Sequence, residues 1–291
     1  MALSPPRATV ENVKLSVGCA QWTHEAWRAQ QPDARRRLAG YAEYCTAVEG
    51  NTTFYATPGP ATTRSWAEQT GEDFRFVLKL PRAVTHDHRM RGAEPELAAF
   101  LAAIEPLGPR VHALWVQLPA SFGPGDLGVL AGFLRRLPDR YRFAVEVRHP
   151  AFFADPDTAD RLEYVLERTA TEWIPFDTTT LFAAPPGSPG EFEAASKKPR
   201  LPRRLRALTD RPIVRYHGRD DVEATVAGWQ PWRDIVAAWL REGRSPTVFV
   251  HTPDNAASLA LAQRFYDDVR SVCAELPARP EPVSAEPMTL F

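Results

Sequence analysis

The chain has 291 residues with 35 basic and 36 acidic side chains, a formal net charge of −1, and 44% hydrophobic and 24% charged residues. Those proportions exclude disordered and fibrous classes, and the length approaches the ~250 residues of a β/α barrel before insertions. With no global field of either sign, neither nucleic acid nor a membrane is an expected partner, and any charge selectivity has to be local.

Residues 1–14 read as a polar tail with Pro5 and Pro6 and no apolar run, so neither a signal peptide nor an anchor is expected and the expected location is cytoplasmic. Cys19, Cys45 and Cys273 are an odd number at wide spacing without a CxxC pair. That usage suits reduced packing thiols rather than a disulfide or zinc framework.

Short β-rich runs then recur at 15–22, 47–55, 74–80, 111–118, 142–149, 172–178, 212–218 and 246–251. Amphipathic helix-length stretches mostly separate them, around 34–46, 61–70, 95–107, 126–137, 156–170, 201–208, 230–242 and 256–273. Pro95, Pro156 and Pro231 sit where a first-turn proline is tolerated. Such alternation calls for a parallel sheet covered by helices, and eight units close naturally into a barrel. The predicted fold is therefore a closed eight-stranded parallel β/α barrel in one domain over 15–276. A doubly wound open sheet is the alternative, but the first strand leads into CAQWTHEAW rather than a glycine-rich phosphate turn. Residues 180–200, rich in Pro, Gly and small polar residues, form an insertion after the sixth strand and a candidate lid. Residues 277–291 read as a second tail.

Residues two apart in a strand share a face, and a barrel interior is expected to be apolar, so polar residues facing inward at strand ends need a reason. Parity places Glu49 and Asn51 at the end of the second strand, Lys79 on the third, Gln117 on the fourth, and Glu146 with Arg148 on the fifth. Asp177 follows on the sixth, and Arg215 with His217 on the seventh. His251 ends the eighth strand without a defined direction, and Tyr55 and His86 belong to the rim. A buried charge costs several kcal/mol unless paired, so this coincidence at one end points to a ligand pocket. A salt-bridge network that merely plugs the mouth is the alternative.

His24, His88 and His112 read as structural, and parity turns His149 away from the axis. The rim carries no HxH, HxxE or DxD spacing, so no metal ligand is assigned, yet barrels also gather ligands from separate strands and a divalent metal stays open. No redox cofactor is expected. The basic run Lys197, Lys198, Arg200, Arg203, Arg204 and Arg206 lacks interleaved aromatic residues and reads as a solvated loop and helix start.

The blocks VEGNTTFY, FRFVLKLPRAVTH, LWVQLPASF, FAVEVRHPAFF and VRYHG, in this order and spacing, resemble those of the YecE-like family, domain of unknown function family 72. The resemblance spans roughly 15–270 and implies a β/α barrel of this size, without implying a reaction. Its pattern falls on Glu49, Asn51, Thr53, Tyr55, Lys79, His86, Gln117, Glu146, Arg148, His149, Arg215 and His217. The first and last strands, VGCAQWTHEAW and VFVHTPDNAASLA, depart from it, and it assigns no role to Trp22, His251 or Asp254.

The expected function is that of a small-molecule enzyme using acid–base chemistry on an anionic or polyhydroxylated substrate. Glu49, Glu146 and His217 are the candidate catalytic residues, with Glu146 and His217 as the proton-transfer pair. Lys79, Arg148 and Arg215 would grip a phosphate or carboxylate, and Asn51, Tyr55, His86, Gln117 and Asp177 would complete the binding site. A metal-dependent hydrolase or isomerase and a non-catalytic anion binder are the alternatives, between which a barrel fold cannot choose.

Overall fold

The computed structural model describes residues 13–279, so the tail expectations for 1–12 and 280–291 lie outside the described residues. Among the described residues there are nine strands: β1 Ser16–Cys19, β2 Ala47–Gly50, β3 Arg75–Lys79, β4 Val111–Gln117, β5 Phe143–Glu146, β6 Glu172–Trp173, β7 Phe176–Asp177, β8 Ile213–His217 and β9 Thr247–His251. All pair in parallel, in the order β6-β5-β4-β3-β2-β1-β9-β8-β7. The sheet curls, so that side chains from β2, β5 and β8 meet across its concave face.

The expected closed eight-stranded barrel is instead an open nine-stranded sheet. The segment predicted as one strand over 172–178 is two: β6 pairs with β5, β7 pairs with β8, and these two pieces are the sheet's edges. Ile174 and Pro175 lie between them. Proline has no N–H to give a ladder, and the chain changes partner at this point. The Ile174 N–H donates to the Val145 carbonyl at 2.8 Å, and the Pro175 carbonyl accepts from the Arg215 N–H at 3.0 Å.

The helices are α1 Arg37–Ala42, α2 Pro60–Glu68, α3 Glu94–Ile104, α4 Leu127–Leu134, α5 Ala151–Ala154, α6 Pro156–Glu167, α7 Pro189–Lys197, α8 Val222–Gly228, α9 Gln230–Arg241 and α10 Ser258–Val272. The helix expected over 201–208 is absent, for Pro199 and Pro202 interrupt the donor pattern and its arginines are held apart by separate ion pairs. Arg203 pairs with Asp177, and Arg204 and Arg206 pair with Glu163. The helix that does form here is α7, inside the 180–200 insertion and capped by Ser188, whose Oγ accepts from the Glu191 N–H. Among the described residues no helix is long and apolar enough to cross a membrane.

Apolar side chains form two layers. The larger lies between the sheet and its helices and includes Trp173, Trp229, Trp232 and Trp239. The smaller fills the concave face and consists of Ala47, Val77, Ala113, Trp115, Ala144, Ile174, Ile213 and Phe249. Cys19, Cys45 and Cys273 are free and buried, the packing role their spacing suggested.

Candidate functional site

One inward step beyond the inner apolar layer, the sheet turns polar. Two residues after Ala47 comes Glu49, after Val77 Lys79, after Trp115 Gln117, after Ala144 Glu146, after Ile213 Arg215, and after Phe249 His251. The period of two therefore fixes the site. A further step out lie Asn51, Arg148 and His217, where the strands end or have just ended.

Arg215 is the hub. Its Nε and Nη2 donate to Glu49 Oε1 and Oε2 at 2.6 and 3.1 Å, and its Nη1 donates to Glu146 Oε2 at 2.7 Å. The guanidinium is sandwiched between Trp115 and Phe176, 4.2 and 4.4 Å from their ring centroids. Arg148 Nε takes the other oxygen of Glu146 at 2.7 Å, and its Nη2 donates to Gln117 Oε1 at 2.8 Å. Asn51 Nδ2 donates to Glu49 Oε2 and to the Ala20 carbonyl. Burial raises both carboxyl pKa values, but Arg215 with His251 outweighs it at Glu49, and Arg148 with Arg215 at Glu146, so both stay below the usual carboxylate range. Both glutamates are thus pinned in the ionised state.

Two amines share the mouth without an acceptor among the described residues. Lys79, 8% exposed, ends β3 with its Nζ 3.6 Å from the Phe54 ring centroid and 5.1 Å from that of Trp115. Burial pushes it down to about 7, with Glu146 opposing and Arg148 and Arg215 adding to the shift. Lys198 reaches over the mouth from the end of α7, with Nζ 6.0 Å from the Phe176 centroid. Burial lowers it too, and Arg215 and Arg148 add to that shift. The basic groups Lys79, Arg148, Lys198 and Arg215 therefore outnumber the carboxylates at the mouth, Glu49 and Glu146.

The histidines divide by tautomer. His217 Nδ1 lies 3.0 Å from the Gly218 carbonyl, which makes Nδ1 the protonated nitrogen and leaves Nε2 as an acceptor. Burial, with His251 adding, pushes His217 down to about 3. His251 Nε2 lies 2.9 Å from Glu49 Oε1 and donates to it. The two imidazoles stack at 5.8 Å, and both lie against Phe176. Gly218 suits its place because a Cβ there would stand 2.3 Å from Thr225 Cγ2, whose hydroxyl fixes both the N–H and the carbonyl of Arg219.

The residues read as facing inward converge with one exception, Asp177, and the two expected at the rim lie there. Asp177 points outward, against expectation, accepting from Trp232 Nε1, Arg203 and Thr179; Phe176 is the inward residue of β7, as counting in twos from Ile174 requires. Tyr55 is exposed at the rim, with its ring on Phe54. His86 is half-buried at the rim, in a π-helical turn over Ala83–Asp87, 2.9 Å from Thr85 Oγ1. Burial, with Lys79 and Arg82 nearby, lowers it to about 4. Arg148 and Arg215, expected to grip an anion, are already engaged by carboxylates, so among the described residues the basic groups at the mouth without an acceptor are Lys79 and Lys198.

Sequence reasoning left His251 undirected and missed Phe176 and Lys198. The first two were available from the period of two. Lys198 was not, because its place depends on how the insertion folds. Among the described residues, no three His, Cys, Asp or Glu side chains are arranged to hold a metal ion.

The chain matches the family model described as protein of unknown function DUF72 over residues 16–285. It is 35% identical over 266 residues to the UPF0759 protein YecE of Escherichia coli K12 and of strain O157:H7, covering 91% of this chain and 96% of each relative. Two crystal structures of a DUF72 family protein from Enterococcus faecalis V583 share the fold. One has a TM-score of 0.69 at 17% identity over 95% of this chain and all of that one, the other 0.65 at 18% over 87% and 97%. With a family match across nearly its whole length and a full-length relative at that identity, the chain belongs to the DUF72 family.

Proposed function

We propose that the chain is an enzyme that binds a small anionic substrate at the mouth of the sheet and moves a proton on it. The observation that carries this reading is the pair of amines, buried Lys79 and half-buried Lys198, which have no acceptor among the described residues while both carboxylates are engaged by arginines. A phosphate, sulfate or carboxylate would complete their coordination. His217 is the proton acceptor, through Nε2. Its low basicity would rise on binding an anion, which favours the charged imidazolium. Glu146, with both oxygens on guanidinium groups, keeps Arg148 and Arg215 in place rather than exchanging protons itself, and Glu49 orients His251.

A non-catalytic anion binder is the second reading, favoured by that same saturation of both carboxylates. The metal-dependent reading is weaker, because Glu49 and Glu146 offer no free oxygen pair.

The first test is thermal melting with sulfate or phosphate. A saturable rise in Tm for the parent, lost in Lys79→Met and Lys198→Ala, is expected; no rise in the parent removes the anion site. The second is depletion of anionic metabolites from a defined mixture. Turnover by the parent and its loss in His217→Gln, with anion-induced stabilisation retained, separates the enzyme from the binder.

A further inference from the structure

The chain contains 31 arginines and only four lysines, Lys14, Lys79, Lys197 and Lys198. Two of those four converge on the mouth. Arginine grips an anion at least as well as lysine but keeps its proton, whereas a desolvated lysine can release it and act as a nucleophile. Lys79 has the surroundings for that. Its amine is buried at the end of β3 against the faces of Phe54 and Trp115. The carboxylates that would neutralise it, Glu49 on β2 and Glu146 on β5, are bonded to Arg215 and Arg148 instead. The same two arginines stand near it, as does His86 on the following turn, which burial keeps neutral. Glu146, Glu49 and the faces of Phe54 and Trp115 favour the ammonium form, but burial outweighs them. Burial pushes the amine down to about 7, so much of it is neutral near neutral pH.

We infer that Lys79 is a covalent catalyst, forming an imine with the carbonyl group of a small anionic aldehyde, ketone or 2-oxo acid. This deepens, and rests on, the reading of the mouth as an anion site. The neutral amine adds to the carbonyl carbon, and the π pair moves to oxygen. A proton passes from nitrogen to oxygen to give the carbinolamine. Protonation of its hydroxyl expels water as the nitrogen lone pair closes the C=N bond. One amine, one carbonyl compound and one proton thus give one iminium ion and one water, with no oxidant or reductant. Lys198 holds the carboxylate or phosphate of the substrate. His217 Nε2 is the acceptor for a proton from the carbon beside the iminium, which withdraws the electron pair left behind.

The full-length protein is incubated with glyoxylate, and separately with pyruvate, and reduced with cyanoborohydride, and modification of each lysine is followed by peptide mass mapping. In parallel, Tm is measured with sulfate. Lys79 should be alkylated about tenfold or more faster than Lys14 and Lys197, sulfate should suppress this, and Lys79→Arg should abolish the fast phase. If Lys79 reacts no faster than Lys14 with either probe, or if sulfate leaves its rate unchanged, the imine is overturned. A sulfate-induced rise in Tm alongside that result leaves the anion site standing and removes only the covalent step. Absence of both removes the two together. Because the map reads Lys79 in the parent protein, the outcome stands even if the variant fails to fold.

Discussion

Arg215 and Glu146 lie 2.7 Å apart although β4, β3, β2, β1 and β9 separate their strands in the sheet. The curl of the sheet brings them together, and Arg215 completes the contact by also holding Glu49. Removing one member of a buried ion cluster leaves the others charged and unpaired, at a cost of about 3–5 kcal/mol. Arg215→Met is therefore expected to lose that much stability in urea denaturation. Arg148, whose side chain is one-fifth exposed, should cost less as Arg148→Met, because water can take up the freed oxygen of Glu146. Equal losses from the two would mean that Arg215 is not the hub.

Acid should destabilise the fold in two stages. His217 and His112 are each pushed down to about 3 by burial, so as pH falls below the ordinary 6.5 the unfolded chain takes up their protons first and stability declines. The carboxyls of Glu49 and Glu146 are depressed, so their contribution is fully present above the ordinary 4.5 and is lost as pH falls below it. Equilibrium unfolding across pH 3–8 should show that His217→Gln lessens the slope of the upper stage, which His112 and His86 share, and leaves the lower one. If the upper slope is unchanged in that variant, His217 is not held neutral by the fold.

Regular strands made most of this site legible from sequence, and irregular chain hid the rest. Glu49, Lys79, Gln117, Glu146 and Arg215 come from strands long enough to carry an unbroken alternation, so parity aims them correctly. Asp177 failed because β7 is only two residues long and follows Pro175, which left no run from which to count. That same proline marks where the sheet opens, a signal the β/α alternation overrode. The end of β2 was overread by five residues: VEGNTTFY has strand composition, but Asn51 turns helical and Thr53, inside the turn that follows, donates its hydroxyl to the Gly50 and Lys79 carbonyls at 2.7 and 2.6 Å. Lys198 depends on contacts distant in sequence, which no local pattern encodes.

The insertion is fastened rather than loose. Glu191 accepts from the Gly187 and Asp220 N–H groups and from Arg219, and Arg219 also donates to the Ala184 and Pro185 carbonyls. Glu191→Ala should free the segment that carries Lys198 and leave the sheet intact. Limited proteolysis should then cut within 181–200 faster than in the parent, and the sulfate-induced rise in Tm should shrink. Faster cleavage without any change in the sulfate response would show that Lys198 is placed by something other than this clamp.

Lys79 should oppose stability, and do so in a pH-dependent way. Its folded value lies near 7, against an ordinary 10.5. Between those values the unfolded chain binds the proton that the folded chain does not, so stability rises with pH across that window. Below about 7 the amine is charged in both states, and the full cost of burying it is borne by the fold. Methionine fills a similar volume, carries no charge and suits the faces of Phe54 and Trp115. Lys79→Met is accordingly expected to gain on the order of 1–2 kcal/mol, as active-site replacements of strained polar groups commonly do. The gain should be larger at pH 6 than at pH 9.5, where the parent has already shed the proton. Urea denaturation of parent and variant at the two pH values measures the difference directly. A loss of stability at pH 6, or a gain independent of pH, would mean that the Phe54 face holds the ammonium comfortably and that Lys79 stays charged in the folded protein.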